Sequence, residues 1–483
     1  MAETAGVNIS SEQEKKQTQV LKYLYGFPDF GGGVWKAYFS TFLPMLYTDV
    51  YFLPVLLGGA LETLQSVMSW IMGPIWGTFL DRVTLKTGKY WMWIIVFATV
   101  AAGGYMLLFS IPMLSSNPSG MAMAAFLVAC LTAASVSISD NTSTAIFPKL
   151  AKTPETRTFL STSKSVGREA SKTIFNYITP VLLAAMISSR GSDVAGWGST
   201  ALILAPIGLI FYIFYAFYLK GTFVEKQAIA DRDLIKESAK KRTSMLDVFK
   251  VLLTNRPLMV MFLYFAILKF YDLALTVQSS AFFFRYYVGS MPRMGSYMTS
   301  RTFAELIGSL VSIYWLKIIK DTKKALLTAG LMHVITIGIV AFTMGKVSID
   351  TTLTILIVNQ FFVGCLSNYV LPLVAAGCDY GALKAGERFD GLGMSTYGLG
   401  LRCAVLIGTP VRTAMLAHSG YDAAAYAAGA AVPENVLKTL ANFQSLYPFI
   451  FSIIGLALVF FLYPINDAKH KEIREELKAK GLG

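Results

Sequence analysis

Twelve apolar runs, each long enough to cross a bilayer, limit this chain more than any other feature, because a run of roughly 20 apolar residues in water has no stable alternative to lipid or a protein interior. Six lie near 24–48, 52–80, 91–114, 120–148, 162–188 and 197–219, and six more near 258–284, 294–319, 325–345, 351–377, 392–417 and 441–464. With 54% hydrophobic and 15% charged residues over 483 positions and a mean hydropathy of +0.54, the chain has more apolar surface than a soluble core could hide. The net charge of +13 could suggest nucleic acid, but the basic residues sit in short connections between apolar runs instead of on one water-soluble face. The first twenty residues are polar and lack the apolar stretch of a signal peptide, so the N-terminus is expected to stay in the cytoplasm.

The one long polar stretch, 222–256, carries Glu225, Lys226, Asp231, Arg232, Lys236, Lys240 and Arg242 and reads as a cytoplasmic linker. It separates an N-terminal half (1–221) from a C-terminal half (257–465), with a tail over 466–483 that alternates Lys and Arg with Glu and reads as a solvated helix or frayed end. Lys and Arg collect on alternate connections: Arg82, Lys86 and Lys89, then Lys149, Lys152 and Arg157, the linker, then Lys317 to Lys324, then Lys384 and Arg388. That asymmetry places these connections and both termini in the cytoplasm of a cell (inner) membrane protein. An all-α protein of twelve membrane helices in two six-helix halves has the plan of the major facilitator fold, in which a substrate site lies near the bilayer midplane.

Three segments carry a family resemblance. They are Tyr25-Gly26-Phe27-Pro28-Asp29-Phe30-Gly31, then Tyr47-Thr48-Asp49-Val50, then Gly73-Pro74-Ile75-Trp76-Gly77 leading to Asp81-Arg82 and Lys86-Thr87-Gly88-Lys89. Phe147-Pro148 with Thr153-Pro154-Glu155-Thr156-Arg157, then Asn255-Arg256-Pro257, then Asp379-Tyr380 with Gly386-Glu387-Arg388 continue the pattern in order along the chain. Together they resemble the glycoside–pentoside–hexuronide:cation symporters, the melibiose permease-like family. The resemblance implies a secondary transporter that moves a sugar, glycoside or hexuronide by alternating access, with its site between the halves near Asp140 and Arg402.

It also implies a site, which this chain keeps only in part. The family's two cation-binding carboxylates of span 2 fall at Ser69 and Gly73, and its span 1 acid falls at Gly33, so all three are missing. Asp140 matches the family's sugar-binding aspartate of span 4, Ser137 its cation-ligating hydroxyl, and Thr144 the position of its aromatic residue. Arg402 matches the family's span 11 lysine, and Lys164 and Arg168 are the nearest basic residues to its span 5 arginine. Tyr397, just over a turn before Arg402, is the aromatic residue chosen to stack on a sugar; Trp35, Tyr38, Trp70, Tyr177 and Tyr271 are as readily packing or interface residues. Asp81, Arg82 and Lys89, with Glu387 and Arg388, are candidates for a gate at the cytoplasmic mouth, or simply for anchoring by positive charge.

Ionisable residues within spans are functional candidates by default. Counting twelve residues back from the outer connection to Lys36 and forward to Glu62 puts both at similar depth, roughly 18 Å, so the two are predicted to meet as an ion pair. Such a pair would either stand in for the transported sodium, making transport sodium-independent by uniport or with protons, or simply lock two helices. Lys269 with Asp272, and Arg301 with Glu305, are spaced to pair within their own helices. Arg412 has no such neighbour.

Other functions have less support. The histidines His333, His418 and His470 lack metal-ligand spacing, as do Cys130, Cys365, Cys378 and Cys403, so no metal or other cofactor and no enzyme activity is indicated. Expected partners are therefore a sugar- or glycoside-like small molecule, a co-transported proton or cation, and the bilayer, with no nucleic acid. The alternatives kept open are another organic anion, a lysolipid-like amphiphile, and a non-transporting membrane sensor. Loss of acids with retention of bases tilts the reading toward an anionic solute.

Overall fold

The computed structural model describes residues 11–83, 88–114, 117–150, 154–230, 254–386 and 390–480. Among these residues the architecture is helical, and it divides into two compact units, Met1–Lys240 and Lys241–Gly483. Most of the predicted linker, 231–253, lies outside the described residues, as do Glu387 and Arg388; the side chains of Asp81, Arg82 and Tyr397 and the Gly73/Gly77 pair are likewise not described.

Eleven described helices are long and apolar enough to cross a membrane. The twelfth span is the first, a continuous helix over 27–50 that is α-helical over Phe27–Trp35 and Thr41–Met45 and opens into wider π turns over Lys36–Ser40 and Leu46–Val50. Pro44 lacks an N–H and crowds the carbonyl four residues earlier, which accounts for irregular turns around it. Span 7 has the same character, with π turns over Phe270–Val277 and Phe283–Tyr287.

In the N-terminal unit, span 3 (Trp91–Leu114) packs on span 4 (Pro118–Thr144) and span 6 (Asp193–Lys220). Span 2 (Val55–Arg82) packs on span 4, and span 1 on span 5 (Pro154–Arg190) and span 6. Spans 1 and 5 cross with little between them. A Cβ on Gly26 would strike the Ser163 carbonyl, and one on Gly167 the Gly26 carbonyl, so only glycine admits this approach.

Glu225, just past span 6, closes one end of the unit. It is 1% exposed, and its carboxylate accepts the backbone N–H groups of Lys89 (2.6 Å), Tyr90 (2.8 Å) and Trp91 (2.7 Å). These are donors that the first turn of span 3 cannot satisfy internally, and the positive end of the helix dipole favours an anion there.

In the C-terminal unit, span 8 (Met291–Ile319) packs on span 10 (Ile349–Ala385). Span 9 (Thr322–Thr343) packs on spans 10 and 12, and span 7 on spans 11 (Asp390–His418) and 12. The tail forms a helix, Asp467–Ala479, that is docked: Ile473 and Leu477, one turn apart, are buried, and His470 Nε2 and Arg474 Nε meet Asp379 at 2.8 and 3.1 Å. The alternating charges that suggested a solvated tail concealed this two-residue apolar stripe.

Candidate functional site

Span 4 ends in an unusually polar run for a membrane helix, Ser135 through Thr144. It stays helical because its side chains return their hydrogen bonds to their own backbone: Thr142 to Ile138, Thr144 to Asp140 (2.9 Å) and Asn141 to Ser137 (2.6 Å). The Asp140 carboxylate is left to bond elsewhere. Its Oδ1 accepts the Tyr212 hydroxyl of span 6 at 2.6 Å.

Tyr212 is fully buried and is held flat against Trp35 of span 1, with ring centroids 5.0 Å apart, while the Trp35 indole donates to the Ala205 carbonyl at 3.0 Å. Span 1 presents glycine here: a Cβ on Gly32 would lie 3.0 Å from the Tyr212 hydroxyl and 4.0 Å from Asp140 Oδ1. Trp35 is thus a 1% exposed buttress of the aspartate and not a stacking surface.

A second connection lies beside the first. Lys164 of span 5 donates to Thr144 Oγ1 at 2.9 Å and approaches Asp29 Oδ2 of span 1 at 3.4 Å, with the Tyr25 ring 5.6 Å from its ammonium. Asp140, Thr144 and Lys164, chosen from the sequence as substrate contacts, therefore form one group, joined by Asp29 and Tyr212, which were not chosen. Asp29 had a signal, since it lies in the quoted motif and stands one turn before Gly33; Tyr212 had none. Arg168, one turn beyond Lys164, lies 3.2 Å from Glu169, which Lys172 also approaches at 3.1 Å. It is bonded within this more exposed set, and its charge also acts on Asp29 of the Asp140 group.

The positions of the family's cation ligands hold neutral hydrogen bonds. Ser137 Oγ donates to the Ser69 carbonyl at 2.9 Å, and Ser69 Oγ donates to the Ala133 carbonyl at 3.1 Å, stitching spans 2 and 4. Gly33 leaves no vacancy for the missing span 1 acid, because a Cβ there would lie 2.6 Å from Ser171 Oγ. No cluster of potential metal ligands occurs among the described residues.

Lys36 and Glu62 stand differently from each other: Lys36 is exposed and Glu62 is 7% exposed, and among the described residues no ion pair joins the two. Depth had been counted at a regular α-helical rise, whereas the π turns beginning at Lys36 and Leu46 change both rise and facing along that stretch.

In the other unit, Arg402 is exposed and has no carboxylate partner among the described residues, whereas Arg412 is 2% exposed and donates to Gln278 Oε1 at 2.9 Å. Lys269 pairs with Asp272 at 3.5 Å as its spacing suggested. Arg301 does not pair with Glu305 of its own helix; it crosses to Asp272 of span 7. His333 is packed, bonded to Tyr271 and Asn359 at 3.0 Å each.

Helices of this number and packing fit the major facilitator fold, and solved structures agree. A bacterial homolog of the human lysosomal transporter Spinster, inward-facing and unoccupied, matches 97% of this chain and 99% of its own at a TM-score of 0.65 and 13% identity. A bacterial homologue of the iron transporter ferroportin, inward-facing, matches 93% and 100% at 0.62 and 12%. These likenesses concern the fold alone.

The chain belongs to the MFS/sugar transport protein family, which matches residues 24–467. It is 25% identical over 409 residues to the isoprimeverose transporter of Lactiplantibacillus pentosus, covering 83% of this chain and 81% of that one. It is 24% identical to the symporter YjmB of Bacillus subtilis over 99% of both chains, and 23% identical to the lactose permease of Lactobacillus delbrueckii subsp. bulgaricus over 97% of this chain and 73% of that one.

Proposed function

We propose that this protein is a secondary transporter of a sugar, glycoside or hexuronide, without enzymatic activity, working by alternating access in the cell membrane with both termini in the cytoplasm. The observation that carries the reading is the Asp140 group. Thr144, Lys164 and Asp29 alternate acceptor and donor across spans 1, 4 and 5, the Asp140 carboxylate beside them is held by the Tyr212 hydroxyl, and the group remains partly exposed, so a sugar hydroxyl can replace a neutral partner without leaving a buried charge alone. The relatives named for isoprimeverose and lactose support a sugar substrate. Sodium has no carboxylate at Ser69, Gly73 or Gly33, so coupling is sodium-independent.

An anionic sugar is the second reading, favoured by Arg402, an exposed guanidinium within a span. Thermal unfolding of the purified protein in detergent, with isoprimeverose, lactose and a glucuronide, with and without sodium, tests both. Stabilisation by a sugar that is indifferent to sodium and lost in Asp140→Asn is the expected result. Stabilisation that requires sodium would overturn the coupling assignment, and stabilisation by none of the panel would overturn the substrate class.

A further inference from the structure

A cavity of about 470 Å³ lies in the N-terminal unit, across the contact of spans 1 and 5 from the Asp140 group. Its floor is that contact, where Gly26 and Gly167 carry no side chains. Its walls are Phe27 and Phe30 of span 1, Val166 and Ala170 of span 5, and Phe211 of span 6, whose ring centroid lies 4.4 Å from that of Phe30. Tyr23 and Phe159 meet edge to face at one end, with ring centroids 5.0 Å apart. Tyr23 is 63% exposed and Val166 60%, so the cavity opens to the outside of the unit.

Helical spacing separates this cavity from the charges. Tyr25 and Asp29 share one stripe at the start of span 1 and Phe27 and Phe30 another, with Gly26 between the two stripes. On span 5, Gly167 stands in the same way between Lys164 and the stripe of Ser163, Val166 and Ala170. The backbones meet at the glycines, so charge collects on one side of the contact and apolar surface on the other. A sugar finds few partners on the apolar side: the Ser163 hydroxyl already donates to the Tyr23 carbonyl at 3.3 Å, which leaves the Tyr23 hydroxyl as the polar tip of the lining. The volume falls within the roughly 300–1,000 Å³ of small-molecule pockets, and a space lined this way suits hydrocarbon better than ordered water.

The open end is basic. Lys22 stands next to Tyr23 at the end of the helix Ser11–Leu24, has no acid three or four residues away in the chain, and has no carboxylate partner among the described residues. In the sequence Lys149, Lys152 and Arg157 precede Phe159. An exposed tyrosine beside an uncompensated lysine, whose stem can run along apolar surface, is the pairing that meets lipid head groups at a membrane boundary.

We propose that this cavity binds one acyl chain of an anionic membrane phospholipid, with the phosphate held at Tyr23 and Lys22. The chain fills the space that the close approach at Gly26 and Gly167 leaves between spans 1, 5 and 6. It thereby supports, from the lipid side, the same contact that sets Lys164 against Asp29. The inference requires a membrane protein but no particular solute, so it stands or falls apart from the sugar reading.

The test adds phosphatidylglycerol or phosphatidylcholine with the same acyl chains to the purified protein in detergent and counts the lipids retained when the protein is released from micelles in a mass spectrometer. One retained phosphatidylglycerol is expected at concentrations where phosphatidylcholine is lost. Lys22→Gln should lower retention of the anionic lipid by about 5-fold. Ala170→Phe and, separately, Val166→Phe place a ring in the cavity and should abolish retention, while each unfolds in lipid-free detergent at the native temperature. Leu202→Phe, at an exposed apolar position of span 6 outside the cavity, should retain the lipid. Retention undiminished in both cavity variants overturns the proposal, as does equal retention of the two lipids or no retained lipid in the native protein. A native dimer that becomes a monomer in Ala170→Phe would mean that a second copy covers the cavity, and would overturn it too.

Discussion

Two charged clusters, one in each unit, differ in how they are held. In the N-terminal unit the paired groups stay open: Lys164 and Asp29 are 25% and 17% exposed, and Arg168 and Glu169 are 44% and 34% exposed. In the C-terminal unit Arg301 and Asp272 are 10% and 12% exposed and are locked by Lys269 and Gln360. An open pair can trade a partner for a substrate hydroxyl at little cost, whereas a sealed pair loses its compensation all at once. The difference suits the first cluster to exchanging partners and the second to holding spans 7, 8 and 10 together.

The largest effect should therefore come from the sealed side. Asp272→Ala leaves Arg301 and Lys269 facing each other without a carboxylate and is expected to lower stability by about 3–5 kcal/mol, read as a lower unfolding midpoint in a denaturant titration of the detergent-solubilised protein. Asp140→Ala removes one hydrogen bond from a partly exposed acid and should lower it by about 1 kcal/mol, while slowing sugar uptake by about 10-fold or more. Equal losses of stability from the two substitutions would break the contrast.

Next in size is a steric test of why the N-terminal unit lacks the family's acid. Gly33→Ala places a methyl 2.6 Å from Ser171 Oγ and should cost about 1–3 kcal/mol by overpacking. Ser171→Gly on the same background should recover most of that loss, since it removes the atoms struck. If Gly33→Ala is neutral on its own, spans 1 and 5 do not pack this closely at Gly33 and Ser171, and the position has room for an acidic side chain.

These packing relations mark where the sequence could be read and where it could not. Span number, the two halves and the family were legible because apolar runs, basic connections and motif order are written along the chain. That Asp140, Thr144 and Lys164 lie together was legible through the resemblance. Tyr212 and Trp35 were not, since one stacked pair among many aromatics has no signature until spans 1 and 6 are placed. The Lys36–Glu62 pairing assumed a regular helix, which the π turns over Lys36–Ser40 and Leu46–Val50 replace. Arg301 was assigned to Glu305 from i,i+4 spacing, and a cross-helix carboxylate took its place because Asp272 of span 7 lies within reach. The burial of Glu225 against span 3 was missed because a lone acid in a charged linker looks solvated.

Glu225 gives a prediction of intermediate size. Glu225→Gln keeps the shape but exchanges a charge-assisted acceptor of three N–H groups for a neutral one, and its amide nitrogen cannot accept. A loss of about 1–3 kcal/mol in unfolding stability is expected. Hydrogen exchange should quicken at Lys89, Tyr90 and Trp91 first, and faster exchange confined to span 6 would contradict the capping role.

The smallest effect sharpens the contrast from the open side. Arg168 shares Glu169 with Lys172, and all three are substantially exposed, so Arg168→Gln should change stability by less than about 0.5 kcal/mol. If the exposed cations of this unit meet the solute, the same substitution raises KM for a glucuronide while leaving KM for lactose unchanged, because only the charged sugar uses the guanidinium. Lys164→Gln should raise both, since its ammonium is tied to Thr144 and Asp29 inside the Asp140 group. A variant at Arg168 that behaves like one at Lys164 would mean that the solute reaches further along span 5 than the Asp140 group alone accounts for.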